Sequence, residues 1–162
     1  MEIKRFSELS EEKLDKIINK HFSHWSQYSE LMTLENTIYK FKELYAKNKD
    51  IPYGIALIDN DEIIGFCVLK KDDLKFYPEY NPWISDVMIF DQHRGKGNGI
   101  KLISAAKEEL KKIKYDKAYL WTDKAPYFYE KQGFKYIKDV LKNDESGYGR
   151  LYSIDIKENR KW

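Results

Sequence analysis

The sequence predicts one α/β domain built on a mixed sheet, and three observations carry that reading. Leu14, Ile17, Ile18, Phe22 and Trp25 recur at offsets 3, 4, 8 and 11, the spacing of one apolar helix face. YGIALID (53–59) and EIIGFCVLK (62–70), joined at Asn60-Asp61, have apolar residues at successive positions, as strands do when helices cover both faces of the sheet. WISDVMI (83–89) runs through a glycine-rich turn into a helical stripe of Leu102, Ile103, Ala106, Leu110 and Ile113.

The elements follow in order. Ile3 to Phe6 reads as a short first strand, ahead of the helix that ends near Trp25. A second, shorter helix has Leu34, Ile38, Phe41, Leu44 and Tyr45 as its stripe, Thr33 as N-cap and Pro52 beyond its end. After the hairpin comes an aromatic and acidic loop, KKDDLKFYPEYNP, and then the strand WISDVMI. Lys117 to Trp121 reads as a strand. Pro126 sits in the first turn of a short helix that Gly133 closes at C′, and FKYIKDVL and RLYSIDI finish as strands. No repeat, Pro-rich linker or low-complexity segment divides the chain, so one domain spanning 1–162 is expected.

Composition narrows the function classes. The chain has 29 Lys and Arg against 27 Asp and Glu, a net charge of +2, with no basic stripe of the kind that nucleic acid requires. The single Cys67 excludes an internal disulfide and reads as a strand core residue. MEIKRFSELSEEK has neither an apolar signal core nor a membrane-length run, so a cytoplasmic protein without a membrane partner is expected. Three His and one Cys show no metal-ligand spacing, and no metal site is expected. Thirteen Tyr and four Trp exceed what a small core needs, leaving several to line a groove.

The chain places Gly95, Gly97 and Gly99 within HRGKGNGIK, three of its eight glycines, at the start of a predicted helix. A helix N-terminus offers unpaired amides and partial positive charge, which stabilise a phosphate placed there. The nucleotide P-loop pattern fails because no Gly is followed by Lys-Ser or Lys-Thr. The dinucleotide pattern G-x-G-x-x-G fails because Ile100 and Leu102 stand where its last Gly belongs. Arg94, Gly97 and Gly99 match a third pattern, R-x-x-G-x-G.

This pattern resembles the pyrophosphate loop of the GNAT N-acetyltransferases. PWISDVMIFDQHRGKGNGIKLI is similar to their fourth strand, loop and third helix, and LWTDKAPYFYEKQGF to a later segment ending in Tyr-Glu-Lys-x-Gly-Phe, here Tyr129, Glu130, Lys131, Gly133 and Phe134. Likeness is clear over residues 83–139. Two departures stand out: Asn98 replaces a usual aliphatic residue, and Asp91 replaces the Pro that opens the loop. The resemblance implies a mixed, mostly antiparallel sheet of six to seven strands with about four helices, and a cleft where the fourth strand bulges and splays from the fifth.

It further implies acetyl-CoA as cosubstrate and transfer of its acetyl group to a primary amine by direct attack. Arg94, Gly95, Lys96, Gly97, Asn98, Gly99 and Ile100 would hold the pyrophosphate, and the backbones of Val87, Met88 and Ile89 the pantetheine arm. An amide there, that of Ile89, would polarise the thioester carbonyl. Tyr129 stands at the general-acid position. A primary amine must lose a proton before attack. The strand position where some members carry Glu is Ser85, leaving Asp86 beside it to act through a water; an Asp at a strand end is equally a turn acceptor. For the acceptor, Trp25 and Tyr28 near His21 and His24 form one lip. Tyr80 and Trp83, with Tyr77 and the acids Asp72, Asp73 and Glu79, form an acidic aromatic rim suited to a cation. Each His singly reads as a helix-end residue satisfying carbonyls. A small-molecule acceptor leads. A noncatalytic acyl-CoA-binding module and a protein Lys or N-terminal acetyltransferase are the alternatives, for a monomer or homodimer.

Overall fold

The computed structural model describes residues 1–157. Its centre is the hairpin of β2 (Tyr53–Asp59) and β3 (Glu62–Lys70), which turns on Asn60 and Asp61 with both residues left-handed, at φ 49° and 64°. Such a two-residue turn matches the right-handed twist of the strands it joins. β1 (Glu2–Arg5) pairs outside β2, and β4 (Trp83–Ile89) pairs with β3, all antiparallel. β5 (Lys117–Thr122), β6 (Lys135–Leu141) and β7 (Tyr148–Asp155) complete a seven-stranded sheet in the order β1-β2-β3-β4-β5-β7-β6, with only the β4–β5 pair parallel. The predicted first strand is shifted by one residue. Phe6 leaves the sheet in a 3₁₀ turn and is buried.

Helices cover both faces, which explains the apolar runs in the hairpin. Ile55, Leu57, Cys67 and Leu69 pack with Leu102, Ile103, Ala106 and Leu110 of α3 (Asn98–Lys112). Ala56, Ile58, Phe66 and Val68 pack on the opposite face with Leu14, Ile17 and Ile18 of α1 (Glu11–Trp25) and with Phe41. The Ser10 hydroxyl caps α1 by accepting the amide of Lys13 at 3.2 Å.

α2 (Leu34–Tyr39) starts as expected, with the Thr33 hydroxyl accepting the Asn36 amide at 3.1 Å, but continues as a π-helical turn over Lys40–Tyr45. The expected stripe is therefore broken. Phe41 and Tyr45 are buried, whereas Leu34 and Ile38 are 40% and 38% exposed. A π turn rotates the residues after it relative to those before, so one 3.6-residue stripe cannot stay on one side.

α4 (Pro126–Glu130) begins with Pro in its first turn. It ends in a Schellman closure: the Phe134 amide donates to the Tyr129 carbonyl at 3.2 Å and the Gly133 amide to that of Glu130 at 3.1 Å, with Gly133 at φ 94°.

Candidate active site

The sheet opens at its centre. β4 and β5 are in register only at Trp83 and Tyr119, where the Tyr119 amide donates to Pro82 O at 2.9 Å, and the two strands part beyond that point. On its other edge β4 carries a bulge. Phe66 faces Met88 and Val68 faces Ser85, so the single residue Cys67 of β3 stands opposite two of β4, Asp86 and Val87. Asp86 lies in the bulge with φ 53°, a left-handed conformation costing a non-glycine residue about 1–2 kcal/mol.

The register decides which amides of β4 are free. The Phe90 amide donates to Ile64 O at 2.9 Å, toward β3. Gly65 and Ile89 are consequently a non-hydrogen-bonded pair whose polar groups point the other way. The Ile89 carbonyl confirms this direction, because it accepts from Nε of Arg94 at 2.9 Å. Alternation turns Val87 outward as well. Met88 corrects the sequence reading: its backbone faces β3, and its side chain is buried with Phe66 and Phe90 in the core under α1.

At the end of β4 the glycine loop enters α3. Gly95 and Gly97 have φ of 73° and 78°, and a Cβ on either would meet nothing within 4 Å, so both serve an open left-handed turn. Gly99 differs. A Cβ there would come within 2.8 Å of the Phe128 ring, so its small size serves packing of α4 against the start of α3. Asn98 is buried and donates from Nδ2 to His93 O at 2.9 Å, tying the loop to the helix start where an aliphatic residue was expected. Arg94 also pairs with exposed Asp91 at 3.2 Å. The first-turn amides following Gly97 lack intrahelical partners, and the open turn leaves them approachable by an anion.

A cleft of about 580 Å³ lies over the splayed strands. His24, Trp25 and Tyr28 line it from α1 and the following turn, and Asp86, Val87, Trp121 and Tyr129 from the sheet side. Lys124 reaches across to donate to the Tyr28 hydroxyl at 2.7 Å. Tyr129 is only 9% exposed, seated edge-on against Phe128 and Phe134. Burial, then the nearby Cys67 thiol, pushes its phenol well above the ordinary tyrosine range, so it stays protonated. His24 is held below the usual histidine value by burial and by the charges of Arg94 and Lys124. Cys67 is fully buried, and desolvation pushes its thiol up.

Of the expected acidic aromatic rim only Asp73 lines the cleft. Trp83 is 0% exposed and donates from Nε1 to Tyr80 O at 2.8 Å, while Tyr80 packs on Trp83 and Tyr119 beneath the sheet, so neither lines the cleft. Apolar ring area at a strand start is more stable in the core than in water. Asp73 turns inward to accept from the Ser85 hydroxyl and from Trp121 Nε1, each at 3.0 Å. The Tyr77 hydroxyl accepts the Leu141 amide at 2.8 Å, and Lys138 lies 5.0 Å from the Tyr77 ring centre, supplying a cation from within the chain.

Sequence reading missed one group of side chains. Asp86 does not end its strand; its carboxylate lies 2.8 Å from Lys70 Nζ and 3.4 Å from Nε2 of buried His21. Burial works to raise the Asp86 pKa, yet Lys70 and His21 hold it well below the usual carboxylate range. Burial likewise opposes the charge of Lys70, and Asp86 and Asp73 keep it charged. For Asp73 burial prevails and raises the pKa. A second cavity of about 280 Å³, lined by His21, Tyr45, Lys70 and Asp86, adjoins the cleft at Asp86. His21 therefore does not satisfy helix-end carbonyls, because its ring packs between Trp25 and Phe41. Only the mix of polar residues near the α1 end hinted at this grouping.

The model of the GNAT acetyltransferase domain matches residues 52–136, over half of the chain, and the chain belongs to that family of acyltransferases. An aminoglycoside 6'-N-acetyltransferase complexed with coenzyme A superposes with a TM-score of 0.75 at 16% identity, covering 99% of this chain and 100% of its own. An N-acetyltransferase from Staphylococcus aureus Mu50 gives 0.72 at 17% identity, over 96% and 98% of the two chains. The aminoglycoside 6'-N-acetyltransferase from Enterococcus faecium gives 0.71 at 15%, over 99% and 100%. At these identities the likeness is one of fold. None of the curated proteins matches the chain. Among the described residues there is no helix long and apolar enough to cross a membrane and no cluster of three metal-ligating side chains.

Proposed function

We propose that this protein transfers the acetyl group of acetyl-CoA to the primary amine of a small molecule, by direct attack within the β4–β5 cleft. The observation that carries the proposal is the cleft over the parted β4 and β5, lined by Val87 and Tyr129, with the outward backbone of Ile89 and the glycine turn into α3 following along the same strand. The loop of residues 94–100 would hold the pyrophosphate, with the backbone amides as donors and Arg94 bracing the end of β4. The outward edge of β4 would hold the pantetheine arm as an added strand holds to a sheet edge. Bound there, the cosubstrate supplies a thioester.

The Ile89 amide then donates a hydrogen bond to the carbonyl oxygen as negative charge grows on it. The amine nitrogen forms its bond to the carbonyl carbon while the carbon–sulfur bond breaks, and Tyr129 donates its proton toward the departing sulfur. Asp86 presents an anion to the acceptor's ammonium. Held low by Lys70, it is a weak base, so the amine proton passes to a water that Asp86 orients and from there to solvent. Trp25 and Tyr28 cover the acceptor. A cleft of this volume suits a small molecule and not a broad peptide surface.

The test is thiol release from acetyl-CoA across polyamines, aminoglycosides, amino acids and peptides. Turnover with at least one small amine is expected. Binding of acetyl-CoA without turnover on any acceptor would overturn catalysis, and turnover on peptides alone would overturn the small-molecule assignment.

A further inference from the structure

The β4 bulge that the resemblance implies is present, and the side chains around it show what holds it in this chain. Regular alternation would send Ser85 and Asp86 to opposite faces of the sheet. The extra residue instead lets both act on the α1 side, where the Ser85 hydroxyl meets Asp73 and the Asp86 carboxylate meets Lys70 and His21. Lys70 is the cation at the centre of this group. Its Nζ lies 2.8 Å from Asp86, 3.6 Å from Asp73 and 5.6 Å from the Tyr45 ring centre, and its side chain is largely buried.

Without the ion pair, Asp86 would have little reason to keep a φ of 53°, which asparagine, aspartate and glycine tolerate but do not prefer equally. Loss of the bulge would bring Val87 opposite Phe66. Every residue beyond it would then change face, and the outward amide of Ile89 would turn toward β3. We propose that Lys70 is a positioning residue: its ammonium, through Asp86, locks the β4 bulge and so keeps the Val87 and Ile89 amides facing the acyl donor. This rests on the reading that acetyl-CoA lies along β4.

The experiment measures acetyl-CoA affinity by calorimetry in the unmodified protein, Lys70→Met, Lys70→Arg and the double variant Lys70→Met/Asp86→Gly. Lys70→Met is expected to weaken binding at least about tenfold and Lys70→Arg by no more than about threefold. The double variant removes the pair but places glycine at the left-handed position, so affinity should return to within about threefold of the unmodified protein. Melting temperatures of the same variants separate a general loss of stability, which would follow Tm, from loss of the binding edge at unchanged folded fraction. Wild-type affinity in Lys70→Met, or a double variant as weak as Lys70→Met, would overturn the proposal.

Should any of the three variants fail to fold, the Asp86 carboxyl of the unmodified protein can be titrated by carbon-13 resonance. It faces Lys70 from β3, His21 from α1, Tyr45 from the π turn and Asp73 from the β3–β4 loop. Titration below the ordinary carboxylate range is expected. A midpoint near the reference value of about 3.9 would show that no locking pair exists and would overturn the proposal. If the unmodified protein binds no acetyl-CoA, the proposed function fails, and this titration still decides whether Lys70 holds Asp86.

Discussion

At the scale of single residues, burial sets the chemistry of Tyr129. A phenol kept protonated by its surroundings is a lasting hydrogen-bond donor, and Tyr129 lines the cleft while its ring is fixed by Phe128 and Phe134. Tyr129→Phe should lower kcat about 10²- to 10⁴-fold and leave the acetyl-CoA KM within about threefold, measured by steady-state thiol release. An equal fall in affinity would make Tyr129 a packing residue. The motif YEKQGF is what singles out this tyrosine in the sequence, because all its determinants lie within six residues. Tyr80 and Trp83 were not legible. Nothing local distinguishes an aromatic residue at a strand start that lines a cleft from one that plugs the core beneath it, and burial chose the core.

At the scale of elements, two turns hold the site. In the loop before α3, Gly97 adopts a φ of 78° with open space where a Cβ would project. Gly97→Val should therefore fold, with a destabilisation of about 1–2 kcal/mol in urea denaturation, and should lose at least about tenfold in acetyl-CoA affinity. Gly97→Asn, which tolerates the left-handed region, should fall between the two. Intact affinity in the Val variant would remove the loop from the binding site. After α4, Gly133→Ala should cost about 1 kcal/mol through the strained Schellman position, with kcat falling as Tyr129 loses its fixed place. Both turns were readable from glycine placement, although the contact of Gly99 with Phe128 was not. The π turn in α2 was not readable. It carries Phe41 and Tyr45 into the core on the α1 side of the sheet, and neither residue marks it in the local pattern.

At the scale of the whole molecule, stability at alkaline pH should report the buried phenols. Tyr53 lies under the Arg5 guanidinium in the core beside Ile51 and Ile55, and burial pushes its pKa up to about 12. A raised pKa means that its contribution is present below the unfolded value of about 10 and is lost as pH rises from there toward about 12. Tyr129 shifts in the same direction. Absorbance titration of tyrosinate should accordingly show a delayed fraction that ionises together with loss of circular dichroism, and smooth ionisation of every tyrosine near pH 10 would contradict the burial.

The sequence by itself determined the helices and strands whose pattern is local: the α1 face, the two-sided hairpin, the strand–glycine turn–helix junction and the closing of α4. It determined the family too, because the motifs that carry it span short segments whose backbone geometry depends on residue type. Tertiary structure alone decided where the charges meet. Lys70 and Asp86 come from neighbouring strands and His21 from a helix laid over them, and their meeting depends on a single extra residue in β4. One inserted residue leaves no mark on the apolar pattern of WISDVMI, yet it changes the face of every side chain and the direction of every amide beyond it, since side-chain direction in a strand has a period of two.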